Sequence, residues 1–299
     1  MEKFFERKLY KLANSKFLKM INQLKTVILL GILTGIFLLI GSFFGSSGLT
    51  IALVFAILMN FGSYFFSHKI VLAIYRAKEV SKKDEAWLHE MIEDIANEMQ
   101  IPKPKIYVVP SNQLNAFATG PNPKKSAVAF TEGIISKLNK NELKGVAAHE
   151  LAHIKNRDTL ISTIAATIAA VISYAAFMAR FAALFGGAGR DRDNSNLIEM
   201  LALAIIAPIA ATILQLAISR SREYLADEKG AKTIKDSESL AKALEKIHDN
   251  VKINPLTFGS PATSSLFIIN PFRGSGILNL FSTHPAVEER IKRLKELKF

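Results

Sequence analysis

Three long stretches of the chain contain no Asp, Glu, Lys or Arg, and charged or amphipathic segments lie between them. These uncharged stretches are residues 26–68, 159–179 and 200–219. A transmembrane helix needs about 20 consecutive, mainly apolar residues. A soluble fold does not easily hide three such stretches, so the pattern argues against a purely cytosolic protein and predicts a multi-pass membrane protein.

The first uncharged stretch is too long for one membrane span of about 20 residues, and Gly45-Ser46-Ser47-Gly48 predicts a short turn within it. We therefore predict a first transmembrane hairpin with helices at about 26–44 and 49–67. A second hairpin is predicted with helices at about 159–184 and 200–219. The resulting parts are a basic N-terminal segment (1–25), the first hairpin (26–67), a polar half (68–158), the second hairpin (159–219) and a second polar half (220–299).

The chain is strongly basic, with 38 Lys plus Arg against 26 Asp plus Glu and a formal net charge of +12. Basic residues are concentrated before residue 26 and at 69–83, whereas the turn at 45–48 has none. Loops rich in Lys and Arg face the cytoplasm. We therefore predict a protein of the plasma membrane with cytoplasmic termini and cytoplasmic polar halves.

Two observations narrow the classes of function. There is no zinc-finger spacing, basic heptad region or RNP-like aromatic strand, so we predict the lipid bilayer and not nucleic acid as the partner of the positive charge. The chain has no Cys, which excludes disulfides, thiolate metal sites and thiol nucleophiles. The sequence does not indicate an oligomeric state.

The polar halves predict a mainly α-helical protein with a small β-sheet. Apolar residues at helical spacing predict an amphipathic helix over 77–100. Short strands are predicted at 105–110, 115–120 and 126–130. Helices are then predicted at 132–138, with Thr131 as its cap, and from Asn141 onward, with Glu142 in the first turn.

The second of these helices carries His149-Glu150-Leu151-Ala152-His153. Residues at positions i and i+4 of a helix share one face, so both imidazoles can bind one metal ion. Glu150 then lies beside the ion without binding it, where it can take a proton from a water molecule. This spacing is typical of a zinc metallopeptidase.

A catalytic zinc site has three protein ligands and one open position. Just after the last apolar stretch, Glu223 and Asp227 again lie four residues apart on one helix face. This spacing suits a ligand carboxylate together with a second carboxylate that holds a ligand histidine. Asp227 or Glu228 as the third ligand is the alternative.

These motifs, together with their order along the chain, resemble the HtpX-type membrane zinc metalloproteases, which are related to the CAAX prenyl endopeptidases. The resemblance implies a gluzincin-like α+β domain and about four transmembrane helices. It also implies one Zn²⁺ per chain with His149, His153 and Glu223 as ligands, Glu150 as the catalytic base, and Asp227 as the carboxylate that holds a ligand histidine.

Two further segments resemble parts of the same family. The resemblance implies a catalytic role for His284, in the segment Ser282-Thr283-His284-Pro285, and for Arg290, six residues later. Chemically, His284 or Arg290 can donate to the oxyanion of a tetrahedral intermediate. The segment 115–120 resembles the edge strand beside the cleft, so that substrate is expected to contact it through backbone hydrogen bonds. The predicted substrate-binding residues are Asn115, Ala116, Phe117 and Ala118.

The leading hypothesis is a membrane-anchored endopeptidase that hydrolyses membrane or misfolded proteins at the cytoplasmic face, in membrane protein quality control. One alternative is a membrane adaptor or chaperone with a structural zinc, against which the presence of Glu150 argues. The other is a metal transporter. Transport sites lie near the middle of the membrane, and the predicted spans hold no acidic residue or His there, which argues against that class.

Overall fold

The structure is a computed structural model, and it describes residues 24–39, 41–42, 45–168, 220–253, 266–269 and 285–299. In this part of the chain the fold is mostly helical with one small mixed sheet. The helices are α1 (Leu24–Leu39), α2 (Gly45–Ile74), α3 (Ala86–Glu98), α4 (Glu132–Lys137), α5 (Lys140–Asn156), α6 (Thr159–Ile168), α7 (Arg220–Ile234), α8 (Ser237–Ile253) and α9 (Val287–Glu296). The strands are β1 (Lys78–Glu79), β2 (Lys105–Val109), β3 (Ala116–Thr119) and β4 (Ala127–Thr131).

Helix α2 has 30 residues and contains an 18-residue window with a mean hydropathy of 1.9, and among the described residues it is the helix that is long and apolar enough to cross a membrane. It differs from the predicted span at both ends. The turn predicted at 45–48 is wrong, because these residues already belong to α2, which begins at Gly45 with a φ of 71°. The helix also continues past residue 67, because Val71 and Leu72 pack into the protein core instead of facing lipid.

The remaining predicted spans are described only in part. The first corresponds to α1, and the third to α6, which is the described beginning of 159–184. The fourth predicted span, 200–219, lies outside the described residues.

The four strands form one sheet in the order β1-β2-β4-β3. Strands β2 and β4 are parallel, and the two outer pairs are antiparallel. The three predicted strands are confirmed as β2, β3 and β4. The helix predicted over 77–100 is wrong at its beginning, because Lys78 and Glu79 pair with Val108 and Tyr107 as β1.

Helix α5 lies at the centre of the described fold, where it contacts α3, α7, α8 and β3. It begins one residue before the predicted Asn141, because Asn139 is its N-cap and forms a capping box with Glu142. The Asn139 side chain accepts from the Glu142 backbone N–H at 2.9 Å, and the Glu142 carboxylate accepts from the Asn139 N–H at 2.9 Å. This reciprocal pair satisfies two backbone donors at the start of the helix that carries the HELAH motif.

Candidate metal centre

Two helices supply the residues of the predicted metal site. Helix α5 carries His149, Glu150 and His153, and α7 carries Glu223. The helices cross at Gly230, where an added Cβ would lie 2.8 Å from the backbone nitrogen of His149. Only a glycine permits this approach, which brings the carboxylate of α7 to the imidazoles of α5.

The structure brings the three predicted ligands together. Donor atoms of His149, His153 and Glu223 all lie within 4.8 Å of one another. The Nε2 atoms of the two histidines are 3.1 Å apart, and carboxylate oxygens of Glu223 lie 3.5 Å from His153 Nε2 and 3.7 Å from His149 Nε2. Asp227 instead contacts the far side of the His149 ring, and Glu228 forms an ion pair with Lys232.

The hydrogen bonds of the two imidazoles fit a cation between them. Nδ1 of His149 lies 2.8 Å from Asp227 Oδ1, and Nδ1 of His153 lies 3.2 Å from Asp158 Oδ2. If each Nδ1–H donates to its carboxylate, both Nε2 lone pairs point at the same space. Two imidazole nitrogens and a carboxylate are a donor set typical of zinc, so these residues could hold a metal ion.

Asp158 was not found by the sequence reasoning. It lies five residues beyond His153, outside α5, so helical spacing does not associate it with the motif. The sequence feature that could identify Asp158 is its position as the last charged residue before the uncharged stretch at 159–179. A buried carboxylate at such a boundary, 3% exposed here, requires a partner.

Burial, together with the nearby Glu223 carboxylate, raises the pKa of Glu150 to about 7. His153, Arg290 and the backbone N–H of Ala118 act in the opposite direction. A carboxylate whose pKa lies near neutrality is well suited to accept and return a proton. The electrostatics therefore match the general-base role predicted for Glu150.

The balance between burial and neighbouring carboxylates differs for the two histidines. Burial lowers the pKa of His149 despite the attraction of Asp227. Burial also disfavours charge on His153, but Asp158 and Glu223 outweigh it and raise the pKa of His153 to about 10.

Arg290 is 1% exposed and lies behind the metal ligands. Its Nε and Nη2 donate to the two oxygens of Asp227 at 2.8 and 2.7 Å, and its Nη1 donates to the carbonyl of Ile268 at 2.7 Å. Burial would raise the pKa of Asp227, but Arg290 and His149 outweigh burial and hold it at about 2. These contacts place Arg290 where it orients Asp227, while its predicted oxyanion contact stays a prediction.

His284, the other residue predicted from the same segment, lies outside the described residues. The described chain resumes one residue later, at Pro285, and leads into α9, which carries Arg290. The role of His284 therefore stays a prediction.

Strand β3, predicted to bind substrate, lies at the edge of the sheet next to the cleft. Ala118 lines this cleft together with Glu150 and both histidines. Much of the edge is covered by the segment 266–269. Ile268 N–H donates to the Ala116 carbonyl at 3.3 Å, and the Asn115 side-chain amide donates to the Ile269 carbonyl at 3.0 Å.

An aromatic cluster holds this segment in place. The ring of Phe267 packs edge-on against Tyr75 and Phe117, with centroid distances of 4.9 and 5.4 Å. Phe117 belongs to β3, and Tyr75 directly follows α2. Phe117, one of the predicted substrate-binding residues, therefore contacts the protein's own chain at this edge.

Comparison with known proteins finds relatives over most of the chain. The model of peptidase family M48 matches residues 82–298. A protease HtpX homolog from Sulfurihydrogenibium sp. is 52% identical over 286 residues, covering 93% of this chain and 97% of the relative. One from Pyrococcus furiosus is 49% identical over 269 residues, covering 90% and 92%. The crystal structure of S. mikatae Ste24p has a TM-score of 0.48 and 18% identity, covering 94% of this chain and 67% of that chain.

Proposed function

The chain belongs to peptidase family M48 and is a metalloprotease, and from this we propose that it is a membrane-anchored zinc endopeptidase. Its proposed substrates are membrane or misfolded proteins, cleaved at the cytoplasmic face in membrane protein quality control. The observation that carries the proposal is the buried convergence of His149, His153 and Glu223 with Glu150 beside them.

The chemistry follows from the placement of these side chains. His149, His153 and Glu223 would hold the Zn²⁺, which when bound polarises the scissile carbonyl and lowers the pKa of water. Glu150 accepts the proton of the attacking water and returns it to the leaving amine. Asp227, itself held by Arg290, keeps the His149 ring oriented with Nε2 toward the site.

Substrate would bind as an extended strand on the outer edge of β3, with main-chain hydrogen bonds supplying affinity and little sequence preference. In the structure the Ala116 carbonyl already accepts from Ile268. An extended peptide that pairs with Ala116 must therefore displace segment 266–269 from this edge. This competition supports a substrate that presents an accessible, unfolded stretch, such as a misfolded protein.

The proposed membrane location is supported by the apolar surface of α2 and by the chain order at the site. Large apolar side chains of α2 such as Leu58 and Phe61 are 64% and 57% exposed. The helix that carries both histidines ends at Asn156, and the apolar helix α6 begins at Thr159. The metal site would therefore lie at the membrane surface, and the Lys and Arg distribution supports its cytoplasmic side.

The variant Glu150→Gln tests the proposal. It keeps the size of the side chain but removes the basic carboxylate, and because Glu150 is not a ligand it should retain zinc. Cleavage of an unfolded protein by the full chain in detergent should fall about 10²- to 10⁴-fold. A chelator should abolish wild-type cleavage and added zinc should restore it. The control is Glu98→Gln on the exposed side of α3, which should cleave normally. Wild-type activity in Glu150→Gln would rule out the proposed mechanism.

A further inference from the structure

His153 has a carboxylate partner of its own, Asp158, in the turn that follows α5. Asp158 Oδ2 lies 3.2 Å from His153 Nδ1, and the residue is 3% exposed. Since Nε2 of His153 faces His149 and Glu223, Nδ1 is the nitrogen available to the protein scaffold. The contact repeats on the second histidine the arrangement that Asp227 makes with His149.

The backbone of this turn is built around the same pair of residues. Arg157 adopts the left-handed conformation, with φ 61° and ψ 33°. The N–H of Arg157 donates to the Ile154 carbonyl at 3.1 Å, and the N–H of Asp158 donates to the His153 carbonyl at 3.3 Å. These two bonds form a Schellman motif. Asp158 is therefore bound to His153 through both its backbone and its side chain.

The end of α7 provides an internal comparison. Lys235 is also left-handed, with φ 54°, and the N–H of Asp236 donates back to the Ala231 carbonyl at 3.2 Å. The carboxylate of Asp236 caps the next helix by accepting from the Ser239 N–H at 2.9 Å. Asp158 does not act in this way, because its buried Oδ1 makes no hydrogen bond among the described residues and its Oδ2 faces His153.

We propose that Asp158 is a positioning residue of the metal site, which fixes the ring orientation and tautomer of His153. The inference rests on the zinc site proposed above and extends it. Because α6 begins at the next residue, Asp158 also connects the metal site directly to an apolar helix. Carboxylates that hold a ligand histidine typically contribute about 10- to 100-fold to metal affinity or activity.

The test compares Asp158→Asn with Asp236→Asn in the full-length protein in detergent. Zinc affinity is measured by competition with a chromophoric chelator. We expect Asp158→Asn to bind Zn²⁺ about 10- to 100-fold more weakly, and Asp236→Asn to bind it as the wild type does. With Co²⁺ in place of zinc, the visible absorption bands should change in Asp158→Asn only. Asp158→Glu, which restores a carboxylate, should recover part of the lost affinity.

Two results would overturn the proposal. One is wild-type zinc affinity in Asp158→Asn. The other is equal loss of affinity in Asp158→Asn and Asp158→Glu, together with an equal fall in the melting temperature of the metal-free protein, which would show that the residue serves the fold alone. A wild-type protein that binds no zinc would instead contradict the proposed function, so the two failures are distinguishable.

Discussion

Helices α2 and α5 place their large apolar residues in opposite environments. Helix α2 exposes large apolar side chains, including Leu58 and Phe65 at 64% and 49%, and buries Ser63 and Ser67 at 2% each. Helix α5 instead buries its apolar residues, including Leu151 at 0%, and it buries the ionisable Glu150 and His149 as well, at 2% and 0%. This difference indicates that the two helices have different surroundings. The surface of α2 suits lipid, whereas α5 lies inside a protein core that must compensate every charge it contains.

Buried carboxylates in the core are each compensated by a basic or imidazole side chain. Asp227 has Arg290 and His149, Asp158 has His153, and the buried Glu142 has Lys246 at 2.8 Å. A buried charge that loses its partner is left in a medium of low polarity, and breaking such a pair typically costs about 3–5 kcal/mol. Among the described residues, the apolar surface of α2 shows no buried charged pair of this kind. Variants in the two regions should therefore differ strongly in effect.

The largest effect is expected at Arg290. Arg290→Met removes the partner of Asp227 but keeps most of the side-chain volume, and should lower the free energy of unfolding of the metal-free protein by about 3–5 kcal/mol. Chemical denaturation in detergent, followed by circular dichroism, measures this. Arg293→Met is the control on the same helix, because Arg293 forms an exposed ion pair with Glu289, and its effect should be much smaller. Equal effects in the two variants would contradict the distinction between the regions.

A smaller effect is expected where the two ligand-bearing helices cross. An added Cβ at Gly230 would lie 2.8 Å from the His149 nitrogen and 3.0 Å from the Ala148 carbonyl carbon. Gly230→Ala should therefore push α7 from α5, at a cost of about 1–3 kcal/mol, and weaken zinc binding because Glu223 moves with α7. Gly62→Ala in α2, where an added Cβ meets nothing within 4 Å, should be neutral or slightly stabilising. Thermal unfolding of both variants, with and without zinc, provides the measurement, and a stabilised Gly230→Ala would refute the close crossing.

The smallest effect is expected on the apolar surface of α2. Leu58→Ala should change the free energy of unfolding in detergent by no more than about 0.5 kcal/mol, as for surface positions. Leu151→Ala provides the scale, because Leu151 is fully buried in α5 and such a truncation typically costs about 2–5 kcal/mol. If Leu58→Ala proved as destabilising as Leu151→Ala, this surface of α2 would be packed against protein and not against lipid.

Sequence reasoning predicted the features that depend on local spacing. The pair His149 and His153 follows from helical periodicity alone, and β2 to β4 follow from short apolar stretches bounded by turn residues. The strand at Lys78 and Glu79 was missed because its conformation is determined by pairing with β2, which no local pattern reveals.

The geometry around the two histidines could be predicted only in part. Asp227 was expected near a ligand histidine, but its bidentate pairing with Arg290 joins two helices far apart in the chain. Asp158 reaches His153 only because Arg157 takes a left-handed conformation, which is uncommon for a residue other than glycine. Likewise, the cover on β3 depends on long-range contacts of Phe267 and Ile268.

The position of Glu223, the proposed third ligand, also affects the entropy of the unfolded chain. A metal bound by α5 and α7 joins His153 to Glu223 and closes the whole stretch between them into a loop. In a chain that has no Cys, the ion would take the place of a disulfide. In the chain-entropy description, a cross-link over a loop of this length contributes about 4 kcal/mol by restricting the unfolded state. Removal of the metal would therefore remove this constraint on the unfolded chain together with the ion that catalysis needs. Activity would be lost, and the two polar halves would be held together less tightly.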